Sequence, residues 1–250
     1  MELARALELG DRECVSFVGA GGKKTAMAHL AETATERGLR AGYTTTTHMP
    51  PSDYPLVLAA PEELPCALDD HPTPVAVAAE RVENPERATE KVRGYDSDVL
   101  DDLFDERVFD WLLVKADGAR RREFKAPGPD EPVIPAASTH VVPVASVHAV
   151  GEPLDERTVH RPERVAALTD LTVGDEITPD AVGTVLASNE GGCKQIPPDA
   201  TVTPLVNKAD TPALRERAET VLAAALERTD RFTSGLVCSF ETHTLSRVER

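Results

Sequence analysis

The segment Val15–Met27, with the sequence VSFVGAGGKKTAM, constrains the fold of this chain more than any other feature. It begins with the apolar run Val15–Val18, which is typical of a buried strand, and continues with a glycine-rich turn, Gly19–Gly22. Apolar residues at helical spacing then predict a helix over about Lys23–Arg37. Glycines allow backbone N–H groups to surround an anion, and the helix N-terminus adds unpaired N–H groups and the positive end of its dipole. The segment therefore predicts a phosphate-binding site between a strand and a helix.

The turn is similar to the pattern G-x-x-x-x-G-K-[ST], known as the P-loop, and two registers are open. In the register that we favour, Gly22 and Lys23 are the glycine–lysine pair, and Thr25 follows one residue late as the hydroxyl for Mg²⁺. In the other register, Lys24 and Thr25 form the pair and Lys23 replaces the last glycine. An ordinary strand–helix turn is the third alternative. The residues predicted to bind a nucleotide here are Gly19, Gly21, Gly22, Lys23, Lys24 and Thr25, of which Lys23 is also a catalytic candidate.

The charge of the chain excludes several classes of partner. Its 250 residues contain 43 Asp and Glu against 27 Lys and Arg, so the formal net charge is −16 at pH 7. The acids are spread along the chain, which is typical of an acidic, halophile-like surface, and such a surface repels nucleic-acid phosphates. No apolar run is long enough to span a membrane, and the charged segment Met1–Gly10 is not typical of a signal peptide. We therefore expect a cytoplasmic protein with neither a nucleic-acid nor a membrane partner.

Alternating strands and helices predict an α/β fold, in which a mainly parallel sheet has helices on both faces, as in P-loop NTPases. The predicted strands are Val15–Val18, Ala41–Thr46, Pro74–Ala79, Phe109–Ala116, Thr139–Val144, Val202–Val206 and, as the last strand, Phe232–Phe240. The predicted helices begin at about Lys23, Pro61, Asp96, Pro162, Pro179 and Pro212, with Thr178 and Thr211 as N-caps of the last two. We expect one domain over residues 1–250, with 145–200 as a helical and loop insertion.

Two polar motifs follow predicted strands, and parallel strands bring their carboxyl ends to one edge of the sheet. Asp117 follows the most apolar strand, which is the arrangement of a Walker B acid that holds Mg²⁺, and it is the second catalytic candidate. The alternative role for Asp117 is a turn at the strand end. The motif Asn207-Lys208-Ala209-Asp210 matches N-K-x-D, in which a carboxylate reads guanine donors that adenine does not offer. The alternative is a turn that caps the next helix.

Several further side chains are candidates for holding a substrate. The Thr44–His48 segment offers hydroxyls and an imidazole before two prolines, although threonines also simply fill strands. A basic, proline-rich loop, Ala119–Ala136, offers cations for an anionic substrate, although a solvated loop is the plainer interpretation. The candidates are Thr47, His48, Arg120, Arg121, Lys125, His160 and Arg161.

Seven short motifs, taken in this order, resemble the YqeC family, whose members are named as selenium-dependent hydroxylase accessory proteins. The motifs are Gly19-Ala-Gly-Gly-Lys23, Thr44-Thr-Thr-Thr-His48, Ala116-Asp-Gly118, Lys125-Ala-Pro127, Glu131-Pro-Val-Ile-Pro135, Val159-His-Arg-Pro-Glu163 and Asn207-Lys-Ala-Asp210. Two residues depart from the family pattern: Lys24 stands where a threonine is usual, and Lys115 stands where a glutamate usually precedes Ala-Asp-Gly. The second departure removes a carboxylate from the predicted metal site.

The resemblance implies a P-loop NTPase-like protein that acts in the maturation of a selenium-dependent molybdenum hydroxylase. Its partners would be that hydroxylase or the proteins that handle its cofactor, and its ligands would be GTP or ATP with Mg²⁺. A small-molecule kinase or ligase that uses the same loop is one alternative, and a non-hydrolysing nucleotide or cofactor carrier is another. The sequence leaves open whether the chain is a Mg²⁺-dependent NTPase and in which oligomeric state it acts.

Overall fold

The computed structural model describes residues 2–68, 71–82 and 90–250. Within these ranges the α-helices are α1 Leu3–Ala6, α2 Lys23–Glu36, α3 Leu64–Ala67, α4 Ser97–Asp105, α5 Pro162–Leu168, α6 Pro179–Ala187 and α7 Pro212–Arg228. The strands are β1 Glu13–Gly19, β2 Ala41–Thr45, β3 His48–Met49, β4 Leu56–Leu58, β5 Val75–Ala78, β6 Glu80–Val82, β7 Lys91–Arg93, β8 Trp111–Lys115, β9 Phe124–Lys125, β10 His140–Ser146, β11 Val159–His160, β12 Thr201–Val202, β13 Leu205–Asn207, β14 Ser234–Ser239 and β15 Thr244–Glu249. Two 3₁₀ turns cover Pro61–Glu63 and Val147–Ala149.

A mostly parallel sheet forms the centre of the molecule, as predicted. Its strands lie in the order β15-β14-β13-β10-β1-β8-β2-β5-β4, and β12 pairs with β10. All of its described pairs are parallel except β14 with β15. The chain passes from β1 to β2 and β8 on one side and later to β10 and β13 on the other, so β1 lies where the strand order reverses. Ligands of open α/β sheets bind at the carboxyl ends of the strands at such a point.

Helices cover both faces of this sheet, because alternate side chains of each strand point to opposite sides. On one face, Phe17 of β1 and Trp111 of β8 pack with Met27 of α2. On the other face, Leu112 of β8 packs in a core that includes α3 and α4. Farther along that face, Val206 of β13 packs in a core that includes α6 and α7. In the described ranges no helix has both the length and the apolar composition of a membrane span.

Local capping signals set the helix starts as the sequence predicts. The Thr178 hydroxyl accepts a hydrogen bond from the Ala181 amide, and the Thr211 hydroxyl accepts one from the Leu214 amide. Pro162 occupies the first turn of α5, where its missing N–H costs nothing.

Two strand predictions are wrong. Phe232–Phe240 was expected to be the last strand, but β15 follows it and pairs antiparallel with β14. Strand β15 is an edge strand whose side chains are half-buried or exposed, so it lacks the apolar run that identifies a buried strand. The predicted strand Val202–Val206 is divided into β12 and β13, because Pro204 lies between them and has no N–H for a sheet hydrogen bond. The small sheets β3-β7-β6 and β9-β11 were not predicted.

Helix α6 lies in the segment 145–200 that was interpreted as an insertion, and it packs directly on α7. Gly183 of α6 lies at this contact: a Cβ there would be 2.8 Å from the Ala224 Cβ and 2.8 Å from the Val221 carbonyl oxygen. Two helices can approach this closely only where one of them lacks a side chain.

We predict that Gly183→Ala destabilises the protein by about 1–3 kcal/mol, because a methyl group would overpack the α6–α7 contact. Helix propensity alone predicts the opposite change in the free energy of unfolding, because alanine stabilises a helix by about 1 kcal/mol relative to glycine. Urea denaturation measures the difference, with Thr184→Ala in the same helix as the control. A more stable Gly183→Ala variant would show that the two helices are not in close contact.

Candidate functional site

The glycine turn joins β1 to α2 at the carboxyl edge of the sheet. Gly19, Gly21 and Gly22 all have positive φ angles, of 88°, 85° and 141°. A Cβ at Gly19 would clash with the Val144 carbonyl oxygen, and one at Gly22 would clash with the Asn207 side chain. The turn is therefore packed against the ends of β10 and β13 in a conformation that only glycine can adopt without strain.

The turn presents backbone donors. In the described part of the chain, the amides of Gly21 and Gly22 donate to no acceptor. The first N–H groups of α2 also have no partner within their helix, and no side chain caps that helix at Gly22. These N–H groups are what an anion at the start of a helix contacts.

Asp117 connects the turn to two lysines. Its Oδ1 accepts a 2.5 Å hydrogen bond from Lys23 Nζ, and its Oδ2 accepts a 2.8 Å bond from the Gly19 amide. Lys125 Nζ lies 3.0 Å from the same Oδ2, and Lys23 Nζ also donates to the Gly19 carbonyl oxygen. Burial alone would raise the pKa of Asp117, but Lys23 and Lys125 hold it below its usual range. Asp117 is therefore an ionised acid buried between two ammonium groups.

Lys125 extends this arrangement to a second acid, Glu131. Lys125 Nζ donates to the Gly118 carbonyl oxygen at 2.6 Å and to Glu131 Oε2 at 2.8 Å. Arg161 donates to the same Oε2 at 2.7 Å. Burial would raise the pKa of Glu131, but the two cations lower it to about 2. Glu131 therefore stays ionised and holds Lys125 and Arg161 next to each other.

Lys115, the last residue of β8, is the third lysine of the site. Its Nζ donates to Thr47 Oγ1 at 2.9 Å and to the His48 carbonyl oxygen at 3.1 Å. Burial, with the charge of Lys23 nearby, lowers the pKa of Lys115 to about 7. Lys115 is therefore partly protonated at neutral pH. We call Lys23, Lys115 and Lys125 the lysine cluster.

The charges around the glycine turn do not balance. When Lys23, Lys115 and Lys125 are all protonated, the lysine cluster and Arg161 carry four positive charges, against two negative charges on Asp117 and Glu131. Burial lowers the pKa of Lys23 and of Lys115, which reduces this excess as the pH rises. This excess lies in a chain whose net charge is −16. A buried, partly dehydrated positive site on an otherwise acidic protein attracts and retains anions.

The motif Asn207–Asp210 lies beside the turn. Asn207 Nδ2 donates to the Gly21 carbonyl oxygen at 3.0 Å, so the motif is attached directly to the loop. Lys208, with φ 65°, is paired with Glu123 at 2.6 Å. Asp210 Oδ1 accepts a 2.6 Å bond from the Ser239 hydroxyl. Thr211 caps α7, as the simpler interpretation of this motif allows, and Asp210 itself is bonded to Ser239 instead.

Other predicted site residues lie apart from this centre or have different partners. Lys24 and Thr25 are exposed on α2, and Arg121 is exposed on its loop. The hydroxyls of Thr44, Thr45 and Thr46 donate to backbone carbonyl oxygens, and Thr47 and His48 hold Lys115. Arg120, His160 and Arg161 lie around a neighbouring cavity.

The residues predicted to bind Mg²⁺ do not form an open metal site. Both oxygens of Asp117 are occupied by ammonium and amide donors, and Thr25 is exposed. Among the described residues, no three His, Cys, Asp or Glu side chains are grouped as metal ligands. A divalent cation would meet two lysines where it needs a free carboxylate.

Sequence reasoning missed several residues of the site: Glu123, Glu131, Ser239 and the inward orientation of Lys115. Glu131 lies in one of the motifs on which the family resemblance rests, which was an available signal. Glu123 and Ser239 carry no local signal, because their roles come from partners distant in sequence.

Comparison with known proteins agrees with the sequence resemblance. The family model described as "YqeC protein" matches residues 15–163. The chain is similar to the "Uncharacterized protein YqeC" of Escherichia coli (strain K12), with 30% identity over 200 residues. The aligned region covers 78% of this chain and 76% of that relative.

We predict that Lys23→Ala weakens binding of a non-hydrolysable GTP analogue at least about 30-fold, because charge-assisted hydrogen bonds contribute about 1.5–3 kcal/mol each. Lys24→Ala is the matched control: it removes the same charge one residue later, at an exposed position, and should cost about threefold or less. Calorimetry measures both affinities, and circular dichroism checks the fold. If Lys24→Ala loses binding of the analogue and Lys23→Ala does not, the other register of the loop is the correct one.

We predict that anion affinity falls about tenfold between pH 6 and pH 8.5, because Lys115 loses its proton as the pH rises through about 7. Sulfate is a suitable probe, since it remains a dianion throughout this range. Lys115→Met should flatten the pH dependence. Calorimetry at pH 8 in two buffers of different ionisation enthalpy should also detect proton uptake by the wild type. A flat wild-type profile would show that Lys115 does not contribute to the anion site.

Proposed function

The chain belongs to the YqeC family, and we propose that it is a nucleotide-binding accessory protein that holds the phosphates of GTP or ATP at the glycine turn. The observation that carries this proposal is the buried lysine cluster around Asp117, directly beneath a turn with unpaired backbone amides. Its role in maturation of a molybdenum hydroxylase is proposed from the family resemblance.

Phosphate binding would exchange partners around Lys23. An incoming phosphate offers Lys23 Nζ new oxygen acceptors in place of Asp117 Oδ1 and the Gly19 carbonyl oxygen. Asp117 would keep the Gly19 amide and Lys125, so it would not be left as an unpaired buried charge. The exchange adds negative charge where positive charge is in excess.

The arrangement around Asp210 favours guanine as the base. The Ser239 hydroxyl orients the carboxylate, and Asn207 fixes the same motif to the glycine turn. A carboxylate can accept hydrogen bonds from the guanine N1–H and amino group together, whereas adenine offers no such pair. Among the described residues, the one ion-pair partner of the second oxygen, Oδ2, is His148 Nε2, at 3.9 Å.

The proposal contains no step through Mg²⁺, because the described residues do not offer the ion an open carboxylate. Phosphate binding by lysines and backbone amides is sufficient for a switch or a carrier. The same observation favours, as a second candidate function, a nucleotide or cofactor carrier that does not hydrolyse its ligand.

The network also provides a route from the phosphates to the surface. Lys125 contacts Asp117 and Glu131, and Glu131 contacts Arg161, which follows β11. A phosphate that takes Lys23 from Asp117 would leave that carboxylate to Lys125 and the Gly19 amide, and would therefore change the support of the β9–β11 pair. We propose this region as the part of the surface whose state the hydroxylase, or a protein that handles its cofactor, would recognise.

We predict that the protein binds GTP at least about tenfold more tightly than ATP, because adenine would leave a charged acceptor short of partners at a cost of more than about 1 kcal/mol. Asp210→Asn should lower GTP affinity to the level of ATP. The matched control is Glu219→Gln, which removes a charge from the exposed face of α7. Calorimetry with non-hydrolysable analogues, at several salt concentrations, gives the affinities.

Equal affinities for the two nucleotides, unchanged in Asp210→Asn, would remove guanine selectivity from the proposal. If the folded protein still binds sulfate but binds neither nucleotide, the proposal of nucleotide binding is wrong.

A further inference from the structure

A second polar cavity lies beside the lysine cluster. It has a volume of about 210 Å³, and its walls include Arg120, Arg122, His160, Arg161, Glu156 and Glu163. We call it the arginine cavity. This volume is below the about 300–1,000 Å³ of typical small-molecule sites, so the cavity suits a ligand of few atoms. No lysine of the lysine cluster lines it.

Two of its arginines have no protein partner. Within residues 2–68, 71–82 and 90–250, the side chains of Arg120 and Arg122 form no ion pair and no hydrogen bond. Glu156 and Glu163 are in the same walls, yet neither pairs with an arginine of the described chain. Both acids are exposed. In a protein with 43 acidic residues, unpaired neighbouring arginines are free to receive an external anion.

Two arginines of the cavity have an unusual backbone conformation. Arg120 and Arg161 have φ angles of 47° and 68°, in the left-handed region that residues other than glycine rarely adopt. Arg161 is fixed further by Glu131. Backbone conformations of this kind persist where the surroundings fix them, and they are frequent at ligand sites.

The electrostatic environment of His160 agrees with a positive cavity. Burial, followed by the charges of Arg161, Lys125 and Arg120, lowers the pKa of His160 to about 4. The imidazole is therefore neutral at pH 7 and offers one hydrogen-bond donor and one acceptor.

From these features we infer that the arginine cavity binds a small organic anion, with carboxylate or phosphate groups on Arg120 and Arg122. The two acids of the wall are acceptors for hydroxyl or amino groups, so the ligand class is that of hydroxy acids and sugar or polyol phosphates. Bidentate guanidinium–oxyanion pairs supply the recognition. The inference does not depend on nucleotide binding at the glycine turn, because the two sites have separate walls.

The test is calorimetry on the full chain with two probes, citrate for the carboxylates and glycerol 3-phosphate for the phosphates. For one of the probes we expect one bound anion per chain that depends on Arg120 and Arg122, in addition to any anion at the glycine turn. Replacing both Arg120 and Arg122 by glutamine should weaken binding at least about tenfold. Arg121→Gln is the matched control: it removes the same charge from the same loop, but Arg121 does not line the cavity. Arg121→Gln should change the affinity for the probe by no more than about twofold.

Lys23→Ala should also retain the anion, since Lys23 is outside the cavity. The guanidinium N–H signals of Arg120 and Arg122 in the wild type, assigned with single variants, should shift on titration. Because these NMR signals are recorded on the wild type, they test the inference even if the double variant does not fold.

Three results would overturn the inference. One is no binding of either probe at millimolar concentration, and another is an Arg121→Gln loss as large as that of the double variant. The third is complete displacement of the probe by a nucleotide analogue, which would place the anion in the glycine turn.

Discussion

The carboxylate of Asp117 is the interaction on which the arrangement of this site depends. One buried acid accepts hydrogen bonds from the Gly19 amide and from Lys23, and it pairs with Lys125. It thereby ties the glycine turn, the first turn of α2 and the loop after β8 to one point. Without it, two ammonium groups would be buried side by side with little compensation, at a cost of several kcal/mol.

This dependence also explains the packing around the turn. Val144 and Asn207 close on the glycines so tightly that a side chain at Gly19 or Gly22 would clash. The turn is therefore fixed from below by Asp117 and from the side by β10 and β13. In the described part of the chain the amides of Gly21 and Gly22 have no acceptor, and an anion bound to them would restore the charge balance.

Glu131 places the two proposed sites next to each other. It holds Lys125 of the lysine cluster and Arg161 of the arginine cavity on the same oxygen. An anion that draws Lys125 or Arg161 away from Glu131 therefore changes how Glu131 holds the other cation. The two sites are thus adjacent in space and share an electrostatic link, although their walls are separate.

The sequence by itself determined the features that depend on neighbouring residues. Apolar runs, glycines and capping threonines predicted the strand, turn and helix of residues 13–36 and the mostly parallel sheet, because these signals act over a few residues. An edge strand such as β15 gave no comparable signal, since the burial that identifies strands is missing there.

Only the tertiary structure decided which charges meet. Lys23 and Asp117 are 94 residues apart, and Asn207 and Gly21 are 186 residues apart. Their contacts depend on strand order and on the packing of both faces, which no local pattern encodes. For the same reason the structure alone shows that Asp117 is occupied by lysines, that Lys115 turns inward, and that Arg122 rather than Arg121 lines the arginine cavity. The positions of chemically active residues could be predicted from sequence, but their partners, and so their protonation and reactivity, are set by distance in the folded chain.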